Sequence, residues 1–164
     1  FMAKWPDAGK SIFTNIERPS NIWTRAVYYE GLMALYNVDK QKAYYDYALQ
    51  WGEKHKWGLR GGVKTRNADN QCCGQTYIDM YLIDDKKNPE RITDIKLSID
   101  SMMLTQKIDD WNWIDALQMA MPVFKIRTIK PMINTIISLL TTEEVISDVV
   151  LIACNFSNSI LVSR

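Results

Sequence analysis

The sequence predicts an all-α fold built from paired helices with long loops between the pairs. Three observations carry this expectation. Apolar residues recur at helical spacing in several windows, beginning with Ile22, Ala26, Tyr29, Leu32, Met33 and Tyr36. Helix-entry signals stand where windows open, Ser20 before the first and Asn88-Pro89-Glu90 before the fourth. No segment sustains strand alternation closed by hairpin turns. At 164 residues the chain is one domain's worth, long enough to bury a core.

In order, residues 1–19 read as a lead-in, interrupted by Pro6, Gly9 and Pro19. Ser20 is the expected N-cap of a first helix running to Tyr36. Asn37-Val38-Asp39 makes a turn into a second helix, Lys40 to Lys54, which carries Tyr44, Tyr47, Ala48 and Trp51. These two form a helical hairpin. A polar, glycine-bearing stretch from His55 to Asn70 is too irregular for a helix. A third helix is expected from Gln71 to Ile83, and a fourth from Asn88-Pro89-Glu90 to Met103, with proline at its first helical position. A fifth begins near Trp111, after the acidic turn Asp109-Asp110. Loops Asn67 to Gly74 and Ile108 to Asp115 precede helices and carry the polar side chains, so they are expected to meet at one end of the fold.

The bulk chemistry excludes several functions. A net charge of +1 gives no electrostatic case for binding nucleic acid or an anionic membrane surface. No apolar run before Lys125 reaches membrane-spanning length, and the N-terminus lacks a signal-peptide pattern. His55 is the single histidine, and Cys72, Cys73 and Cys154 have no CxxC spacing, so no metal site and no cofactor is expected. Cys72 and Cys73 read as small buried packers.

Trp111-Asn112-Trp113-Ile114-Asp115-Ala116-Leu117-Gln118 carries the most chemistry. In a helix from Trp111, residues Trp111, Asp115 and Gln118 share one face. A carboxylate walled by indoles is poorly solvated and holds its proton toward neutral pH, as a general acid must. The plain alternative is an amphipathic helix with an exposed or capping Asp.

Three segments together resemble a known family: Arg18-Pro19-Ser20-Asn21-Ile22-Trp23-Thr24-Arg25, Asn67-Ala68-Asp69-Asn70-Gln71-Cys72-Cys73-Gly74-Gln75-Thr76-Tyr77, and Trp111 to Pro122. In order and spacing they resemble the unsaturated rhamnogalacturonyl hydrolases, glycoside hydrolase family 105, relatives of the unsaturated glucuronyl hydrolases. The resemblance implies an (α/α)6 barrel of helical hairpins, present here to about its first half, with a cleft at one end. It implies a partner, an oligosaccharide bearing a 4,5-unsaturated uronic acid at its non-reducing end, as left by lyase cleavage of pectin-type chains. By the family motif Asp115 matches the general acid/base and Asp69 the second essential carboxylate. Trp111, Trp113, Arg25 and Gln71 are the expected substrate-binding residues. A cytoplasmic or a periplasmic place in a bacterium fits equally.

Two other readings stay open. Asp109, Asp110 and Asp115 could bind magnesium in an isoprenoid cyclase, although that cluster is short and loosely spaced. The chain could instead be a catalytically inactive truncated barrel or carbohydrate-binding remnant. Residues 1–124 read as the N-terminal part of the hydrolase domain and 125–164 as an atypical tail. All six Trp and all eight Tyr precede Lys125, and Phe156 is the one aromatic residue beyond it. That break, and the apolar run Val149 to Ala153, point to a reading-frame shift near Lys125.

Overall fold

The structure, a computed structural model, describes residues 1–13, 15–105, 107 and 110–128. The chain divides into two compact units, Phe1–Ile126 and Arg127–Arg164, and the first is described here. The tail reading falls largely on residues 129–164, and Asp109 of the acidic turn is likewise outside the described residues.

The unit is helical, as expected. Its helices are α1 (Trp23–Val38), α2 (Lys42–Lys54), α3 (Ala68–Gln71), α4 (Cys73–Ile83), α5 (Glu90–Met103) and α6 (Asp115–Ala120), with a 3₁₀ segment, Met121–Thr128, after α6. The lead-in contains a ladder too short to show alternation, β1 (Ile12–Phe13) antiparallel to β2 (Glu17–Arg18).

A three-residue connection returns α2 against α1, and aromatic rings lock the pair. Tyr29 stacks on Trp51 at 4.0 Å and 8°, with Tyr47 at 5.6 Å from Tyr29. Tyr77 of α4 tilts against Trp51 at 5.6 Å, and Tyr29, Trp51 and Tyr77 are all buried. Such ring pairs add about 0.5–1.5 kcal/mol each beyond area burial. The indole N–H of Trp51 donates to the Ser20 carbonyl at 3.3 Å, so the buried polar atom is satisfied. Gly52 is required here, because a Cβ would lie 2.2 Å from the ring of buried Trp57.

Ser20 does not cap α1. The cap residue is Ile22, with no side-chain cap bond, while the Ser20 hydroxyl is buried, donates to the Ala8 carbonyl at 3.1 Å and lies 2.7 Å from His55 Nε2. A tertiary network claims the group that local propensity assigned to the helix. The fourth entry signal is met in part. Asn88 Oδ1 accepts the Glu90 N–H at 3.1 Å, but the helix opens at Glu90, so Pro89, with φ −68°, is the cap residue and not the first helical position expected.

The helix expected from Gln71 starts earlier, at Ala68, with Asn67 Oδ1 accepting the Asn70 N–H at 3.3 Å, and is interrupted at Cys72. This puts Asp69 in a first helical turn. α4 and α5 form a second hairpin, whose close approach needs Gly74: a Cβ there would lie 2.6 Å from Ile95. Buried Arg91 ties the hairpin turn together, donating to the Met80 carbonyl at 2.8 Å and pairing with Asp84 at 3.1 Å.

Candidate active site

α3 packs against α6, and this contact assembles the site. Asp69 lies half-buried on α3, and Asp115 is the first residue of α6, with an exposed side chain. Burial raises the pKa of Asp69, and the nearby Asp115 charge raises it further, against the opposing pull of Arg60 and Arg18. Arg60 is held at the site's edge, donating to Asn70 Oδ1 at 3.3 Å.

The structure brings together the two expected carboxylates and redistributes the other expected residues. α6 begins at Asp115, not near Trp111, so Trp111 and Asp115 do not share a helical face. Trp111 lies half-buried, donating its indole N–H to the Arg66 carbonyl at 3.0 Å and meeting Phe124 edge-on at 6.1 Å. The expected indole wall around Asp115 is therefore corrected: the carboxyl is exposed, and the desolvated member of the pair is Asp69. Trp113 is half-buried in the turn before α6, and its carbonyl accepts the Ala116 N–H at 3.3 Å.

Gln71 is corrected from substrate ligand to core. It is fully buried, and its amide donates to the Thr65 carbonyl at 3.2 Å and to Ser98 Oγ at 3.0 Å. Arg25 faces the lead-in, its guanidinium 4.3 Å from the Trp5 ring and 4.9 Å from the Phe1 ring. These are cation–π contacts.

Glu30 emerges as a residue that sequence reasoning missed. Its Oε1 accepts the Cys72 thiol at 2.9 Å and its Oε2 accepts the Gln118 amide at 2.7 Å. Exposed Trp23 precedes it by two turns on the same helical face, a spacing that would have marked both. Gln75 supports α6 by donating to the carbonyls of Gln118 at 2.8 Å and Met119 at 3.1 Å. The Cys72 thiol serves Glu30, and the His55 imidazole serves Ser20.

Asp110 is engaged by Arg66, whose Nε donates to Oδ1 at 2.6 Å while Nη2 donates to Oδ2. That fork holds the Asp110 carboxyl below the usual carboxylate range. Among the described residues no group of three or more His, Cys, Asp or Glu is placed to hold a metal ion, and the magnesium reading finds no support there. An apolar groove of about 460 Å³ runs beside the fork, lined by Met102, Met103, Trp111, Leu117 and Phe124. Neither Asp69 nor Asp115 lines it.

Comparison with known proteins places this arrangement. Among curated protein sequences none matches the chain. A glycosyl hydrolase family 88 protein from Bacteroides vulgatus is similar in structure, with TM-score 0.60 and 28% identity over 68% of this chain and 36% of that one. A protein described as a polysaccharide lyase is similar at TM-score 0.61 and 28% identity, over 67% of this chain and 35% of that one. The chain spans about a third of the length of each. The family model of Glycosyl Hydrolase Family 88 matches residues 2–135, which include both carboxylates and all three segments singled out from the sequence. The chain belongs to glycosyl hydrolase family 88.

Proposed function

We propose that this chain carries the proton-handling part of an enzyme that hydrates 4,5-unsaturated uronyl residues, of the unsaturated rhamnogalacturonyl type acting on pectin-derived saccharides. The observation that carries the proposal is the packing of α3 on α6, which brings half-buried Asp69 and exposed Asp115 to one site. Burial and the neighbouring Asp115 charge both favour the protonated form of Asp69. Adding a proton to carbon needs a carboxyl that is neutral at working pH. A like-charged pair supplies one, because ionising the second carboxyl against the first is disfavoured.

In this mechanism Asp69, the less solvated member, holds a proton at rest and passes it to Asp115. Asp115, exposed at the start of α6, delivers it to C4 of the vinyl ether. Water adds at C5, returning a proton to the pair, and the resulting hemiketal opens to expel the aglycone. Trp113 and Trp23, both partly exposed, offer ring faces for sugar stacking.

The test follows the ultraviolet absorbance of the C4=C5 bond in an unsaturated galacturonyl–rhamnose disaccharide. Absorbance is expected to fall with the chain and to stay constant with Asp115→Asn at unchanged melting temperature. Retained turnover in that variant would remove Asp115 from the role.

A second reading is favoured by the surface. Ile114 is 81% exposed, and with Leu117 and Met121 it forms an apolar stripe, exposed among the described residues, from the residue before α6 to the one after it. In this reading the chain binds the saccharide without turnover, and binding with unchanged absorbance identifies it. For the tail, we propose a reading-frame shift near Lys125. Sequencing the coding DNA tests it: a one-base change restoring an aromatic helical continuation supports the shift, and an upheld frame overturns it.

A further inference from the structure

Glu30 is remote in sequence from both carboxylates of the site, yet its side chain reaches each element that carries them. Its Oε1 accepts from Cys72, the residue that closes α3, and its Oε2 accepts from Gln118, three residues beyond Asp115 on α6. Gln75 grips the same turn of α6 from α4, through the Gln118 and Met119 carbonyls. Hydrogen bonds to an ionised carboxylate are short and strongly directional. One carboxylate that divides its two oxygens between two elements therefore restricts how far those elements can separate.

We propose that Glu30 is a positioning residue that clasps α6 to α3 and thereby sets the spacing of Asp69 and Asp115. The inference rests on the reading of that pair as the proton-handling site. Burial, and then the Glu30 carboxylate, push the Cys72 thiol well up, so the thiol stays the donor in this contact throughout the neutral range. Around Asp69 the charged and titratable groups are Asp115 from α6, Arg18 from β2, Arg60 from the loop before α3, and the Cys72 thiol beside it, itself bonded to Glu30. The two arginines oppose the effect of Asp115. If α6 drifts away, Asp69 keeps its arginines and loses its like-charged neighbour.

The test titrates Asp side-chain carboxyl carbons by NMR in the full 164-residue chain. Gln118→Met removes the α6 arm of the clasp from an exposed position without changing any charge. The Asp69 midpoint is expected to fall by roughly half a pH unit or more, the direction expected when a like charge recedes. Asp115→Asn should lower it too, and the double variant Gln118→Met/Asp115→Asn should lower it no further than Asp115→Asn alone. Glu30→Gln, which retains one acceptor, should give a smaller fall of the same sign. A lower melting temperature in Gln118→Met with an unmoved Asp69 midpoint would make Glu30 a structural contact only and overturn the clasp. An Asp69 midpoint unmoved by Asp115→Asn would overturn the pair itself, and with it the proposed function.

Discussion

Between α1 and α2, Tyr29 and Trp51 lie face to face at 4.0 Å with Tyr47 and Tyr77 against them, and this cluster keeps its shape through buried area. Around α3 and α6 polar links add to the buried apolar residues: Glu30 of α1 accepts from Cys72 and Gln118, Gln75 of α4 donates to two carbonyls of α6, and the Arg66–Asp110 fork stands before α6. Dispersion and hydrophobic burial are insensitive to pH, whereas carboxylate hydrogen bonds and ion pairs respond to it. The first hairpin is thus held chiefly by burial, with His55 at the end of α2, whose pKa burial lowers, as its link to pH. The carboxylate end is held by the same kind of groups that carry its chemistry, so its geometry and its protonation are coupled.

The largest break in this contrast is expected in the aromatic cluster. Trp51→Ala should destabilise the chain by about 3–5 kcal/mol at pH 7, measured by denaturant unfolding. The deficit should shrink toward pH 5, because His55, packed edge-on against Trp51 with its pKa lowered by burial, is less desolvated in the variant. A deficit that grows toward pH 5 would contradict this.

At the polar end, Asp110→Asn removes the charge and one of the two acceptors of the Arg66 fork and should lower stability by about 2 kcal/mol at neutral pH. Its sign with pH is fixed by the lowered folded-state pKa. The contribution is fully present above the ordinary Asp value and is lost as pH falls through the folded value, so wild type and variant should converge under acid. Gln71→Ala sharpens the contrast differently. It should cost about 1–3 kcal/mol, because the buried Thr65 and Ser98 groups lose a partner, while affinity for an unsaturated uronyl saccharide stays unchanged. Reduced affinity with intact stability would return Gln71 to the cleft.

The smallest effect belongs to Asp69→Asn. The folded-state pKa of Asp69 is raised, so its ionisation opposes folding above the ordinary Asp value. Removing the charge should stabilise the chain slightly at neutral pH, by less than about 1 kcal/mol for a partly solvated group, and the gain should vanish as pH falls below the ordinary Asp range. Melting curves across pH read this directly.

These contrasts also explain what was legible in the sequence. Periodic features were: the first hairpin follows from spacing in α1 and α2, and the cap at Asn88 from a local signal. The Asp69 and Asp115 pairing came through motif resemblance, which carries three-dimensional information that spacing lacks. What escaped reading depends on partners far along the chain. Ser20 was claimed by Ala8 and His55, Gln71 by Thr65 and Ser98, and Trp111 by the Arg66 carbonyl, which draws it out of the expected helix. Arg25 turned toward Phe1 and Trp5 because the lead-in folds back over α1. In each case a tertiary hydrogen bond or ring contact outweighed a local preference worth about 1 kcal/mol.

The most direct measurement of the central claim is turnover of an unsaturated uronyl disaccharide by this chain in D2O, with the uronyl product examined by NMR. Proton delivery by the carboxyl pair places deuterium at C4 of a product that has lost its double bond, and Asp115→Asn should abolish that product. Release of the aglycone with the C4=C5 bond intact, or no conversion by the folded chain, would contradict the account.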